Sequence, residues 1–170
     1  FRKAATNGDA AGMYNLGVMY AKGHGVDQSD TQAVQWFRKA ADKDYASAMF
    51  SLGVMYADGR GVPQSDTQAV QWFRKAANKD YAAAMSNLGL MYANGQGVAQ
   101  SDTQAIKWFR KAADKDNAAA MYSLGVMYAY GKGVTQSDTQ AVEWYRKAAD
   151  KDYASAMFSL GVMYADGRGV

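Results

Sequence analysis

Leu52-Gly53-Val54-Met55-Tyr56-Ala57-Asp58-Gly59-Arg60-Gly61-Val62, followed ten residues later by Trp72-Phe73-Arg74-Lys75-Ala76-Ala77, decides the fold of this chain. The same stretch recurs every 36 residues: Trp36, Trp72, Trp108 and Trp144 mark the period, as do Gly17, Gly53, Gly89, Gly125 and Gly161. A fixed period of this length signals stacked supersecondary units rather than one central core. Such an array offers a long ridged surface rather than one deep pocket, so binding comes before catalysis as the expected activity.

One unit, residues 44–79, carries two helical patterns. Met49, Leu52, Gly53 and Tyr56 recur at i, i+3, i+4 and i+7, the apolar face of a first helix. Asp58-Gly59-Arg60-Gly61 ends it, a glycine taking the left-handed position. Ser65 and Gln68 have the spacing of a capping box. Ala69, Trp72, Phe73 and Ala76 then mark the apolar face of a second helix. Asp66 suits the positive end of its dipole and Arg74-Lys75 the negative end. Gly53 sits mid-helix at a cost of ~1 kcal/mol against Ala. Close approach of the second helix explains why the chain repeats that cost. First helices are expected at about 10–21, 46–57, 82–93, 118–129 and 154–165, and second helices at about 30–41, 66–77, 102–113 and 138–149.

These elements resemble the Sel-1-like repeat, a relative of the tetratricopeptide repeat. Leu-Gly-x-x-Tyr, Gly-x-Gly-Val and Trp-[Phe/Tyr]-Arg-Lys-Ala-Ala stand in register in the units along the chain. The tetratricopeptide pattern itself fits less well, since its period is 34 and its Trp-x-x-Leu-Gly is Met49-x-x-Leu52-Gly53 here. The resemblance implies an all-α, right-handed α-solenoid, a superhelix of helix–loop–helix repeats. It also implies an adaptor in protein complexes, with the first helices lining the concave face. Two departures stand out. The turn between units carries Asp44, Asp80, Asp116 and Asp152 where the family has glycine, as at Gly8, so these aspartates must enter the left-handed region. There is no Cys, so the disulfides of some secreted members cannot form.

The expected organisation is one array over residues 1–170. Residues 1–7 and 152–170 are partial repeats; 8–43, 44–79, 80–115 and 116–151 are full ones. Both ends cut a repeat, so a fragment of a longer array is expected, with Leu160, Met157 and Tyr164 showing apolar surface. End-to-end self-association of the array is the expected way to cover it.

The 170 residues carry a net charge of +3, a mild bias that is weak for nucleic acid. No apolar run approaches the ~18 residues that span a bilayer. Gly59-x-Gly61 follows a helix rather than a strand and lacks the Gly-Lys-Ser/Thr of a phosphate loop. His24, the one histidine, reads as drift on an exposed loop. The Arg-Lys pairs are expected to face the Asp30, Asp66, Asp102 and Asp138 ladder. No catalytic residue, metal or cofactor is expected.

Residues 38–62 and 146–170 are identical, so sameness reflects duplication and the differences inform. They fall at the positions of Ser47, Phe50, Ser51, Val54 and Asp58, one helical stripe away from Leu52 and Tyr56. The candidate partner-binding residues are Tyr14, Asn15, Phe50, Ser51, Asp58, Asn87, Asn94, Tyr122, Ser123, Tyr130 and Phe158. Aromatics would take apolar groups and amides would bond a peptide backbone. Ser86 breaks the aromatic row and would set a polar stretch between two apolar subsites. The expected partner is therefore a protein or peptide. The alternatives are an enzyme of unknown hydrolase type and a nucleic-acid or acidic-partner binder using the Arg-Lys ladder.

Overall fold

The structure is a computed structural model that describes residues 8–169. Residues 1–7, read above as a partial repeat, lie outside the described residues. Among the described residues there are nine helices and no strand. First helices are α1 (Ala10–Lys22), α3 (Ala46–Asp58), α5 (Ala82–Asn94), α7 (Ala118–Tyr130) and α9 (Ala154–Ala165). Second helices are α2 (Asp30–Ala41), α4 (Asp66–Ala77), α6 (Asp102–Ala113) and α8 (Asp138–Ala149). The second helices match the expected bounds; the first four first helices run one residue further. Two compact units divide the chain, Phe1–Ala84 with Gln96–Val98, and Met85–Gly95 with Ala99–Val170.

In the first unit the ends of α3 show how the loop is built. Gly59 is left-handed, at φ 68°, and its N–H donates to the Met55 carbonyl. Gln64 Nε2 donates to the Ala57 carbonyl at 2.9 Å, occupying an acceptor the helix leaves open. Ser65 Oγ accepts from the Gln68 N–H at 3.3 Å, one half of the capping box. The other half is replaced: the Ser65 N–H donates to the Tyr56 carbonyl at 2.8 Å, tying the loop to α3. Gly61 serves a different purpose from Gly59. A Cβ there would meet the Asp30 backbone at 2.4 Å, so this loop lies against the start of the preceding repeat's second helix.

The core of this unit is stacked alanine, leucine and phenylalanine. Leu52 and Ala69 are fully buried and Phe73 nearly so. A Cβ at Gly53 would stand 2.4 Å from the Phe73 ring, which confirms the close approach expected of this mid-helix glycine. Asp44 takes φ 63° in the turn into α3, and Lys79 reaches back to it at 2.9 Å. The left-handed strain of an aspartate is thus offset in part by an ion pair that glycine could not make.

The second unit repeats these devices. Phe109 and Tyr145 fill the space over Gly89 and Gly125. Asp116 and Asp152 are left-handed, and Lys151 pairs with Asp116 at 2.7 Å. Met163 packs with Ala129, Val142 and Tyr145. On α9, Met157, Phe158, Val162 and Tyr164 are exposed and Leu160 is half-buried, whereas Leu88 is fully buried. A Cβ at Gly161 would meet nothing within 4 Å.

Candidate functional site

Three shallow grooves of common construction lie between neighbouring first helices. In the first unit, α1 and α3 enclose about 260 Å³. Its walls are Tyr14, Val18 and Lys22 on one side and Phe50, Ser51 and Val54 on the other, with Phe37 as floor. In the second unit, α5 and α7 enclose about 310 Å³ between Leu90 and Asn94 on one wall and Tyr122, Ser123 and Val126 on the other, over Phe109. Also in the second unit, α7 and α9 enclose about 180 Å³ between Tyr130 and Phe158, Ser159 and Val162, over Tyr145. The helical spacing of the variable stripe is what brings these residues to one face.

The aromatic row has two roles. Tyr14 stacks between Phe37 and Tyr45, with centroids at 5.7 and 5.2 Å. Phe50 lies between Phe73 and Tyr81, and Tyr122 between Tyr145 and Tyr153, at 5.2–5.7 Å. These rings are half-buried and join one repeat to the next, so the stripe is not set apart from the packing face as its spacing suggested. The aromatic body that suits a ligand also suits the neighbouring ring, and the neighbour is always present. Phe158 is 76% exposed.

Ser86 departs further from expectation. It is buried at 5% exposure and offers no polar stretch to a ligand. The sequence held the signal: where Ser86 replaces the middle ring, Asn117 replaces the outer tyrosine found at Tyr45, Tyr81 and Tyr153. Asn117 turns its amide to capping, accepting from the Ala120 N–H at 2.9 Å. Of the remaining candidates, Asn15 and Asn87 are half-buried, Ser51 and Ser123 line grooves, and Asn94 and Tyr130 are exposed at groove mouths. Asp58 is exposed at the end of α3.

The charge ladders pair differently from the expectation. Arg38, Arg110 and Arg146 donate to the hydroxyls of Tyr56, Tyr128 and Tyr164 at 2.6–2.8 Å. Lys39, Lys75, Lys111 and Lys147 sit over the Trp36, Trp72, Trp108 and Trp144 rings at 4.0–4.6 Å. Asp30 and Asp138 are held instead by Arg60 and Arg168, each bidentate at 2.7 and 3.1–3.2 Å. The reason is direction: the last turn of a second helix faces the following first helix, while its first turn faces the following loop. Arg168 holds the Asp138 carboxyl below the usual carboxylate range, chiefly through these hydrogen bonds. Burial, then Tyr122 and Tyr130 nearby, pushes the Tyr145 phenol up to about 12. The loop position held by Arg60 and Arg168 is therefore a tie between repeats, while His24 at the same position of α1's repeat is exposed.

The Sel1 repeat pattern matches residues 10–45, 46–81, 82–117, 118–153 and 154–170. The chain belongs to the Sel1 repeat family. Sel1 repeat proteins are generally protein-interaction scaffolds and are typically non-enzymatic. Among solved structures, the chain is similar to a protective antigen of uropathogenic Escherichia coli strains with an SLR fold. That likeness has 41% identity and a TM-score of 0.95 over 99% of this chain and 36% of that one. A Sel1 repeat protein from Oxalobacter formigenes is 33% identical with a TM-score of 0.89, over 96% of this chain and 68% of that one. The Helicobacter pylori cysteine rich protein B shares the fold at 24% identity and a TM-score of 0.57, over 70% of this chain and 90% of that one. A comparison with curated protein sequences finds no match. The fold class is therefore all-α, helix–loop–helix repeats of about 36 residues with solenoid relatives. Among the described residues, no helix is long and apolar enough to cross a membrane.

Proposed function

We propose that this chain is an interaction module that binds an extended peptide segment of a partner protein along the grooves between its first helices. The observation that carries this reading is repetition. Three grooves present the same valine, serine, methionine and aromatic positions in the same order. An extended peptide matches a repeating surface because its own side chains and backbone groups repeat. Half-exposed Asn15 and Asn87 suit backbone amides, since each offers a donor and an acceptor. Tyr130, 70% exposed, suits apolar groups. The second-helix ladder supports the competing nucleic-acid reading less well, because Lys39, Lys75, Lys111 and Lys147 lie over tryptophan faces and Arg38, Arg110 and Arg146 donate to tyrosine hydroxyls.

Panning a phage-displayed library of unstructured peptides on the protein tests this reading. Ser51→Arg together with Ser123→Arg fills two grooves from half-buried positions and should abolish retention with the helical signal unchanged. Lys75→Gln with Lys111→Gln, on the second helices, should leave retention intact. The reverse pattern would move the site to the second-helix ladder.

A further inference from the structure

Eight positions line all three grooves, and seven keep their chemistry. They read Ala21, Ala93 and Ala129; Phe37, Phe109 and Tyr145; Phe50, Tyr122 and Phe158; Ser51, Ser123 and Ser159. The other conserved sets are Val54, Val126 and Val162; Met55, Met127 and Met163; Arg60, Lys132 and Arg168. The eighth changes class completely: Lys22, Asn94 and Tyr130. Each is the last residue of its first helix, next to the left-handed glycine that closes it, and each side chain is exposed.

Charge separates the three further. In the α1–α3 groove, Arg60 is spent on Asp30 through a bidentate pair, so the two cancel. Lys22 makes no ion pair among the described residues, and the groove keeps one unbalanced positive charge. In the α5–α7 groove, Lys132 and Asp102 both line the wall beside neutral Asn94. In the α7–α9 groove, Arg168 is spent on Asp138 beside neutral Tyr130.

Resting on the peptide-binding reading above, we infer that the last residue of α1, of α5 and of α7 sets what its groove selects. Lys22 makes the α1–α3 groove take a ligand side chain bearing a carboxylate, Asn94 an uncharged polar one, and Tyr130 an apolar or aromatic one. The valine, methionine and serine positions are identical in all three grooves and the aromatic positions stay Phe or Tyr, so this shared lining gives little preference. Among the eight shared positions the mouth residue alone changes chemical class as the ligand side chain enters, and discrimination follows from differences in contact energy, not from shared contacts. A single exposed pair contributes modestly, so the charge preference should amount to at most roughly fivefold in affinity at low salt, more on charge reversal, and fade at high salt.

The same phage-displayed library, panned on the parent protein, on Lys22→Glu and on Asn94→Lys, tests this. The parent should enrich Asp or Glu at one ligand position. Lys22→Glu should replace that preference with Lys or Arg, and Asn94→Lys should create a second acidic preference. A synthetic peptide from the parent selection should lose roughly tenfold in affinity for Lys22→Glu at 50 mM salt and little at 1 M. Equal enrichment profiles for parent and Lys22→Glu, with binding retained, overturn the inference and leave the peptide-binding reading standing. No enrichment on a folded parent overturns both. All three positions are exposed helix ends, so the variants should keep the parent's helical signal.

Discussion

Gly53 and Gly161 allow one substitution to be made twice with only the surroundings changed. Residues 46–58 and 154–166 are identical, so Gly53→Ala and Gly161→Ala share the same neighbours along the chain. Each gains the helix propensity that alanine has over glycine, ~1 kcal/mol. Their spatial surroundings differ. At Gly53 the added methyl stands 2.4, 2.5 and 3.1 Å from three Phe73 ring carbons, where ordinary contact is 3.4–4 Å. The ring must therefore retreat by roughly 1 Å within a close-packed core, and Phe73 is only 2% exposed. Overpacking of this kind costs about 1–3 kcal/mol. Gly53→Ala should thus be neutral to destabilising by about 2 kcal/mol, and Gly161→Ala stabilising by up to ~1 kcal/mol. Propensity cancels in the comparison, leaving the overpacking term alone. Urea unfolding followed by circular dichroism measures the first, and amide hydrogen exchange within α9 measures the second. Adding Phe73→Leu to Gly53→Ala should recover part of the loss through a favourable coupling. Equal stabilisation by both alanines would refute the claim that ring contact, and not chain conformation, explains this glycine.

Other substitutions probe the remaining ties. Tyr145 has a folded pKa of about 12 against an ordinary 10, so its contribution is complete below pH 10 and is lost as pH rises towards 12; this amounts to roughly 2–3 kcal/mol. Tyr145→Phe, the residue the other repeats use, should therefore lose less stability than the parent over that range; parallel alkaline unfolding curves would contradict the assignment. A double-mutant cycle on Arg60 and Asp30 should give a coupling of about 1 kcal/mol that weakens at 1 M salt. Ser65→Ala should cost about 1 kcal/mol through the lost cap in urea unfolding. Asp116→Gly should stay within about 0.5 kcal/mol of the parent, because relief of left-handed strain offsets the lost pair with Lys151, while Asp116→Val should lose ~1–2 kcal/mol.

The helices were legible because each signal is local and repeated: the 3.6-residue spacing of Met49, Leu52 and Tyr56, the Ser65 cap and the Gly59 stop. Each first helix but the last runs one residue further because the left-handed glycine itself, not the residue before it, ends the helix. The Gly53 contact was also readable, since a costly residue kept at every repeat implies something pressing on it. Partners across repeats were not. Arg38 and Asp30 lie at opposite ends of one helix, and periodicity does not say which neighbouring element each end faces. Ser86 misled because a small polar residue reads as surface, while its burial follows from the geometry of its neighbours. Its matched change with Asn117 was visible on comparing repeats with one another. The grooves needed the structure, because a groove is the space left between two helices and no residue spells it.

The reach of these ties has a consequence for how such a gene can change. Arg38 reaches Tyr56 at a separation of 18 residues, and Arg60 reaches Asp30 at 30. Tyr14 reaches Tyr45, Lys79 reaches Asp44, and Gly61 rests on the Asp30 backbone. None of them spans more than one 36-residue period. A recombination event that inserts or removes one whole period therefore keeps every tie in register with the corresponding position of a neighbouring repeat. One that removes a single residue misdirects every tie crossing that point at once. The length of such an array is free to vary, but only in whole steps, and it gains or loses one groove each time.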